Sequence, residues 1–521
     1  MSQELRSVNL IAPGFKGLNS EDSPLAQDPS FAETADNAVI DNRGRIAARK
    51  GYVVQTANKQ VLNNNPITTI VEYRDASGDT RIFSTGNNKI WRNGVTGPDV
   101  NNTSLNDVTP QNYTITSNNW KIVNFNNNTY FFQRGYQPLV SENSNGYVVP
   151  MSIKPGNVGV TSAMYGNEVL AAYGRLWTTD FNDDKSTIYW SDLLQGHRWE
   201  GGTSGSINIS KVWPDGYDEI VALAAHNGLL IIFGKHSVVV YQNAESPSIM
   251  SLADTISGVG CVDRDTVQYT GTDVVFLSDT GLRSFGRTVQ EKSMPISTLS
   301  KTITKDLIKA VQNETSGFKT VYSPEESFLL LTFISQKLTY CFDLRGNLED
   351  GSLRVTRWPS STYTTYKRTK DGQLFIGSAE GISTYKGYLD NNTTYRFKYE
   401  SPMLSFGDSS KLKMLKKLRP IIVGGNDSLA VLRFAYDFST DFRTISFIIN
   451  DQVSAQFGIN EFGPNSVPLS EFTSGEQLTN KRTFNARGSG NTVVIGLETT
   501  INGSEISLQE INVLALIGKT L

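Results

Sequence analysis

Hydrophobic positions along this chain fall in short runs separated by polar turns, and the arrangement repeats. A short apolar run, a turn and a second short run ending in an aromatic or aliphatic residue occur at Ile82–Trp91, Tyr130–Val140, Leu176–Trp190, Leu230–Tyr241, Val274–Phe285, Leu329–Phe342 and Leu374–Tyr385. The runs are rich in Val, Ile, Leu, Phe and Tyr, and Gly, Asn, Asp or Ser falls between them, which reads as a β-hairpin each time. Successive starts lie 44 to 55 residues apart. A four-stranded propeller blade takes about 40–50 residues. The spacing therefore predicts an all-β chain with a β-propeller of six or seven blades over 56–391, the hairpins supplying the inner strands. An irregular β-sandwich is the alternative.

The flanks break the period. Residues 1–55 form an arm punctuated by Pro13, Gly14, Gly17, Pro24 and Pro29, with one or two helical turns expected over Ala32–Val39. A hairpin-type turn is expected at Asn42-Arg43-Gly44 and a basic strand at Arg45–Lys50. Past Asn392 the apolar–polar alternation runs longer, as in Leu429–Phe438, Thr444–Ile449, Asn491–Thr499 and Ile506–Gly518. Such alternation marks half-buried antiparallel strands, and 392–521 is expected to be a separate C-terminal β-sandwich. One helix is expected, Ser297–Asn313, where Leu299, Ile303, Leu307 and Val311 recur every four residues.

Composition narrows the chemistry. Charged residues are 19%, the formal net charge is −3, and the hydrophobic share is 38%. This supports a folded core and excludes a generally basic, phosphate-coating surface. The three histidines (His197, His226, His236) and two cysteines (Cys261, Cys341) form no zinc-type pattern. A Cys261–Cys341 bridge is open on sequence alone. The start of the chain lacks a secretory pattern and no apolar run is long enough to span a membrane, so folding in a reducing cytoplasm is expected. Acidic residues cluster at Asp180, Asp183, Asp184 and Asp192 without calcium-loop spacing; solvated surface is the expectation, and a glycosidase pair the alternative. No enzyme activity, metal or cofactor is expected. The sharpest charge cluster is Lys411, Lys413, Lys416, Lys417 and Arg419, read as one exposed strand face or as a contact with another subunit, an adaptor or a phosphate backbone.

Five stretches carry a resemblance. They are GFKGLNSEDSPL (Gly14–Leu25), ADNAVIDNRGRIAARKGY (Ala35–Tyr52), YGRLWTTD (Tyr173–Asp180), TIYWSDLLQGHRWEGG (Thr187–Gly202) and SGVGCVDRDTVQYTGTDVVFLSDTGLRSF (Ser257–Phe285). In this order, followed by Tyr395–Leu404, the chain resembles the β-propeller tail nozzle or tail-hub proteins of short-tailed bacteriophages. The resemblance covers most of the chain, although the chain is shorter than the largest nozzle proteins. It implies a structural virion protein, assembled in the host bacterial cytoplasm, that forms a ring of typically six copies and gates genome ejection. The partners it implies are copies of itself, a head-to-tail adaptor, tail fibre or spike proteins, and double-stranded DNA in the lumen. The competing reading is a receptor-binding, glycan-binding or glycan-hydrolysing propeller of a phage tail.

Overall fold

The structure, a computed structural model, describes residues 4–55, 59–74, 78, 80–93, 104–142, 146–151, 165–290, 298–425, 428–449 and 479–520. The chain is mostly strand and divides into two compact units. One takes 54–339 and 360–385; the other takes 1–53, 340–359 and 386–521.

The first unit is a β-propeller. Six discrete antiparallel sheets of three or four strands follow one another along the chain, and the pair Phe318–Ser323 and Phe328–Phe333 fills a further position in the ring. All seven expected hairpins are pairs of consecutive strands. They are not the inner strands, however. The innermost strand of each sheet is the one before the hairpin: Ile67–Arg74, Lys121–Phe125, Glu168–Ala172, Ile220–His226, the short Gln268–Tyr269 with the 3-10 turn Arg264–Thr266, Phe318–Ser323 and Thr365–Arg368. Each contacts the next around a closed circuit, and the last returns to the first. Gln55 N–H donates to the Ile382 carbonyl at 2.8 Å, so chain preceding the first sheet edges the last one. The reason for the difference is burial. The hairpin strands are covered on both faces and so are the most apolar, whereas innermost strands such as Lys121–Phe125 and Thr365–Arg368 are of mixed composition and partly exposed.

Turn chemistry fits the asparagine-rich composition. Asn87-Asn88, Asn126-Asn127 and Asn227-Gly228 each hold two successive positive φ angles, between 44° and 77°. These are two-residue hairpin turns of the type that asparagine and glycine tolerate best. The core is a series of apolar layers between neighbouring sheets. Trp177, Trp190, Trp213, Leu223, Ile232 and Tyr241 form one of them, and Phe233, Phe276 and Phe285 belong to the next. The expected helix is shorter than its apolar spacing suggests. A 3-10 turn at Lys301–Ile303 leads into a helix at Thr304–Asn313, which buries Leu307 and Ala310. Ser297 lies outside the described residues.

In the second unit the C-terminal strands are not a sandwich of their own. Ile506–Thr520 pairs with Lys411–Gly424, and also with Glu4–Leu10 and Ile46–Ala48 from the start of the chain. Val493–Ile501 pairs with Tyr395–Glu400 and Ser428–Tyr436, and Tyr395–Glu400 pairs in turn with Thr34–Asp36. Both sheets are therefore built from both chain ends. Alternation identified the half-buried strands but carries no information on which segment covers them. The expected helical turns at Ala32–Val39 are short strands, Thr34–Asp36 and Ala38–Ile40, because their backbone groups are drawn into these sheets. The turn at Asn42-Arg43-Gly44 and the strand after it are present, the latter as Ile46–Ala48. Its flanking cations are spent internally: Arg45 on Asp41 at 2.6 Å and Arg49 on Asp390 at 2.6 Å.

Candidate functional site

The predicted basic cluster is split by its own strand. Lys411–Gly424 carries register shifts between Lys411 and Lys413 and between Leu415 and Lys417. A bulge leaves one residue unpaired and turns its neighbours, so Lys416 and Lys417 are both exposed although adjacent in sequence. Lys413 is fully buried, with its ammonium donating to the Asp408 carbonyl, and burial pushes its pKa down. Lys411 pairs with Asp408 at 3.2 Å, and Arg419 is half-buried. Only part of the cluster is therefore exposed, chiefly Lys416 and Lys417.

Of the four acidic residues singled out in the sequence, Asp183 is exposed and the other three serve turns and ion pairs. Asp180 is buried between Arg134, Lys185 (2.6 Å) and Asn167 (2.8 Å). Asp184 accepts from the Ser186 and Thr187 N–H groups. Asp192 accepts from the Leu193 and Thr203 N–H groups, the Thr203 hydroxyl and Arg198. Burial would raise the Asp192 carboxyl, but these donors outweigh it and hold the pKa low. No group of three potential metal ligands is present among the described residues. Cys261 and Cys341 are buried thiols that form no disulfide, and burial pushes the Cys261 thiol up to about 12.

The concave chemistry of the propeller lies where its innermost strands converge. A cavity of about 520 Å³ is lined by residues from five of these strand positions, among them Thr69, Lys121, Asp265, Lys319, Tyr322 and Lys367. A second, of about 300 Å³, takes in Asn119, Arg134, Asn167, Asp180, Lys185 and Arg264. One charge network borders both. Asp265 accepts from Lys319 Nζ at 2.6 Å and lies 3.9 Å from Lys121 Nζ and 3.8 Å from Arg264 Nε. Arg264 donates to Asn167 Oδ1 at 2.9 Å and to the Asn119 carbonyl, and Lys319 donates to Asn119 Oδ1 at 3.2 Å. The 3-10 turn Arg264–Thr266 holds these groups in place, with Asp263 as its N-cap accepting from Asp265 N–H. Burial alone would raise the Asp265 carboxyl, but Lys319, Arg264 and Lys121 overcome it and keep it well below the usual carboxylate range.

Glu168 is the opposite case. Its carboxylate sits 3.5 Å from Lys121 Nζ. Burial nonetheless pushes its pKa from the ordinary 4.5 up to about 7, with Lys121 and Arg264 only partly offsetting the desolvation and Asp265 adding to it. A carboxyl raised in the folded state binds more protons folded than unfolded between these values. Its contribution therefore favours folding at low pH and is lost as pH climbs from about 4.5 through 7. Glu168→Gln is expected to flatten this slope and to stabilise the protein at pH 8 by about 1–3 kcal/mol. Urea unfolding at pH 5 and pH 8 measures both effects.

None of these network residues was singled out by the sequence. The available signal was a charged residue in several of the strands just before a hairpin, as at Lys121, Lys319 and Lys367.

No protein-family model matches the chain, and no curated protein is significantly similar to it. Solved structures are similar at the level of fold. One is an extracellular domain from B. thetaiotaomicron, at 10% identity and a TM-score of 0.41, over 79% of this chain and 58% of that one. Another is PorZ of Porphyromonas gingivalis, a surface component of the type-IX secretion system, at 12% identity and 0.36, over 74% and 45%. The WD40 domain of Neurospora crassa Pan2 gives 7% identity and 0.36, over 66% and 97%. The chain thus spans little more than half of the first of these and less than half of the second.

Proposed function

We propose that this protein is a structural component of a short phage tail: a ring-forming nozzle through which the genome passes, acting without catalysis or cofactor. The observation that carries the proposal is where the resembling stretches fall. Tyr173–Asp180, Thr187–Gly202 and Ser257–Phe285 supply the blade strands Arg175–Thr179, Thr187–Trp190, Val274–Ser278 and Gly281–Ser284, and Gly14–Leu25 and Ala35–Tyr52 belong to the unit built from both chain ends. The stretches that carry the likeness are thus architectural, as a conduit protein requires. Propeller sheets bury their own faces against one another, so in this reading assembly falls to the second unit, whose exposed Lys416 and Lys417, with half-buried Arg419 beside them, would meet carboxylates of a neighbouring subunit or of the head-to-tail adaptor. A heterologous contact repeated around a closing rotation makes a ring. Fibre or spike proteins and lumenal double-stranded DNA complete the partners of this reading.

The test is assembly in solution. Purified protein, alone and mixed with the adaptor of the same phage, is expected to form rings visible by negative stain. Lys416→Glu with Lys417→Glu is expected to weaken assembly at least tenfold while changing folding stability by less than about 1 kcal/mol, since both are surface changes. A chain that stays monomeric with the adaptor present contradicts the proposal.

A further inference from the structure

We propose that the larger axial cavity of the propeller binds an oxyanion, the carboxylate or phosphate group of a small ligand, with Lys367 as its main charge partner and Lys121, Lys319 and the Tyr322 hydroxyl around it. The inference is independent of the role in the tail.

The volume, about 520 Å³, suits a small molecule. Its lining holds four cationic side chains, Lys121, Lys319, Lys367 and Arg368, against one carboxylate, Asp265. Arg368 is already engaged by Glu325, with Nε–O distances of 3.0 and 2.9 Å. Lys319 and Lys121 share Asp265, and Lys121 also faces Glu168. Lys367 differs from them. It is half-buried on the innermost strand Thr365–Arg368, and no hydrogen bond or ion pair reaches its ammonium among the described residues.

The surroundings of Lys367 disfavour its charge. Burial pushes its pKa down, Glu72 opposes this as the strongest neighbouring charge, and Lys121 and Lys370 add to the lowering. Glu72 forms no ion pair with Lys367, and it accepts instead from the Lys370 N–H at 2.6 Å. A half-buried ammonium that no carboxylate reaches in an ion pair can be completed by an anion brought from outside. Lysines act on oxyanions as point charges, which suits a rounded, multi-oxygen group. Half-buried Tyr322 adds an O–H with no hydrogen-bond partner among the described residues, a second donor that an anion would satisfy.

The experiment is calorimetric titration of the whole protein at constant ionic strength with inorganic phosphate, glucuronate and, as a neutral control, glucose. Saturable one-to-one binding of phosphate or glucuronate, and none of glucose, is expected; whichever anion binds tighter identifies the source of the oxyanion. Lys367→Met keeps the volume and removes the charge. It is expected to fold normally and to weaken binding at least tenfold, and Tyr322→Phe to weaken it several-fold. Lys411→Met, in the other unit, is expected to leave binding unchanged. No saturable binding of either anion, or an affinity unchanged in folded Lys367→Met, overturns the proposal.

Discussion

Asp265→Ala is expected to be among the most damaging single changes in the propeller, lowering its stability by about 3–5 kcal/mol. The carboxylate accepts from Lys319 at 2.6 Å and lies within 4 Å of Lys121 and Arg264. Without it, cations from two different sheets and from the 3-10 turn Arg264–Thr266 face one another with little water to screen them. The cost comes from the charges left behind more than from the bond removed. Asp265→Ala combined with Lys319→Met is therefore expected to recover a substantial part of the loss, and a double-mutant cycle in urea measures the coupling. If the double variant is as unstable as the sum of the two single variants, the cluster is not held together by charge.

Trp177→Ala is expected to cost a similar amount, about 3–5 kcal/mol, by a different mechanism. Trp177 is completely buried in the layer between two neighbouring sheets. Its ring centroid lies 5.4 Å from that of Trp190, and its indole N–H donates to the Ala172 carbonyl at 3.1 Å. Truncation opens a cavity that the closed circuit of sheets cannot collapse without breaking contacts elsewhere. It also leaves the Ala172 carbonyl without that donor. Trp177→Phe, which keeps most of the packing, is expected to lose less than half as much. The midpoint of urea unfolding reports both.

The part of the fold most legible in the sequence was the part with the simplest burial. Strands such as Leu229–Gly234 and Phe328–Phe333 are covered on both faces, so they read as continuous apolar runs and gave the hairpin period directly. The strands that line the axis carry mixed residues, as in Lys121–Phe125 and Thr365–Arg368, and the apolar period assigns the inner positions to the hairpins in their place. The cavity they form was invisible for the same reason, since Lys121, Lys319, Lys367 and Asp265 lie far apart in the chain and meet only when the circuit closes. The basic cluster shows the converse. Lys411, Lys413, Lys416, Lys417 and Arg419 are neighbours in sequence, yet register shifts and the burial of Lys413 divide them. Local alternation also missed that Glu4–Leu10 completes the sheet of Ile506–Thr520, because strand pairing across the whole length of a chain leaves no local pattern.

The central claim is that the protein is a ring-forming part of a phage tail. The measurement that addresses it most directly is a cryo-electron microscopy reconstruction of a short-tailed phage virion in which this chain is looked for. The account expects the propeller and the unit built from both chain ends as a symmetric ring on the DNA axis at the end of the tail, with Lys416 and Lys417 at a protein contact. Finding the chain as a peripheral fibre, inside the capsid, or absent from the particle would contradict it.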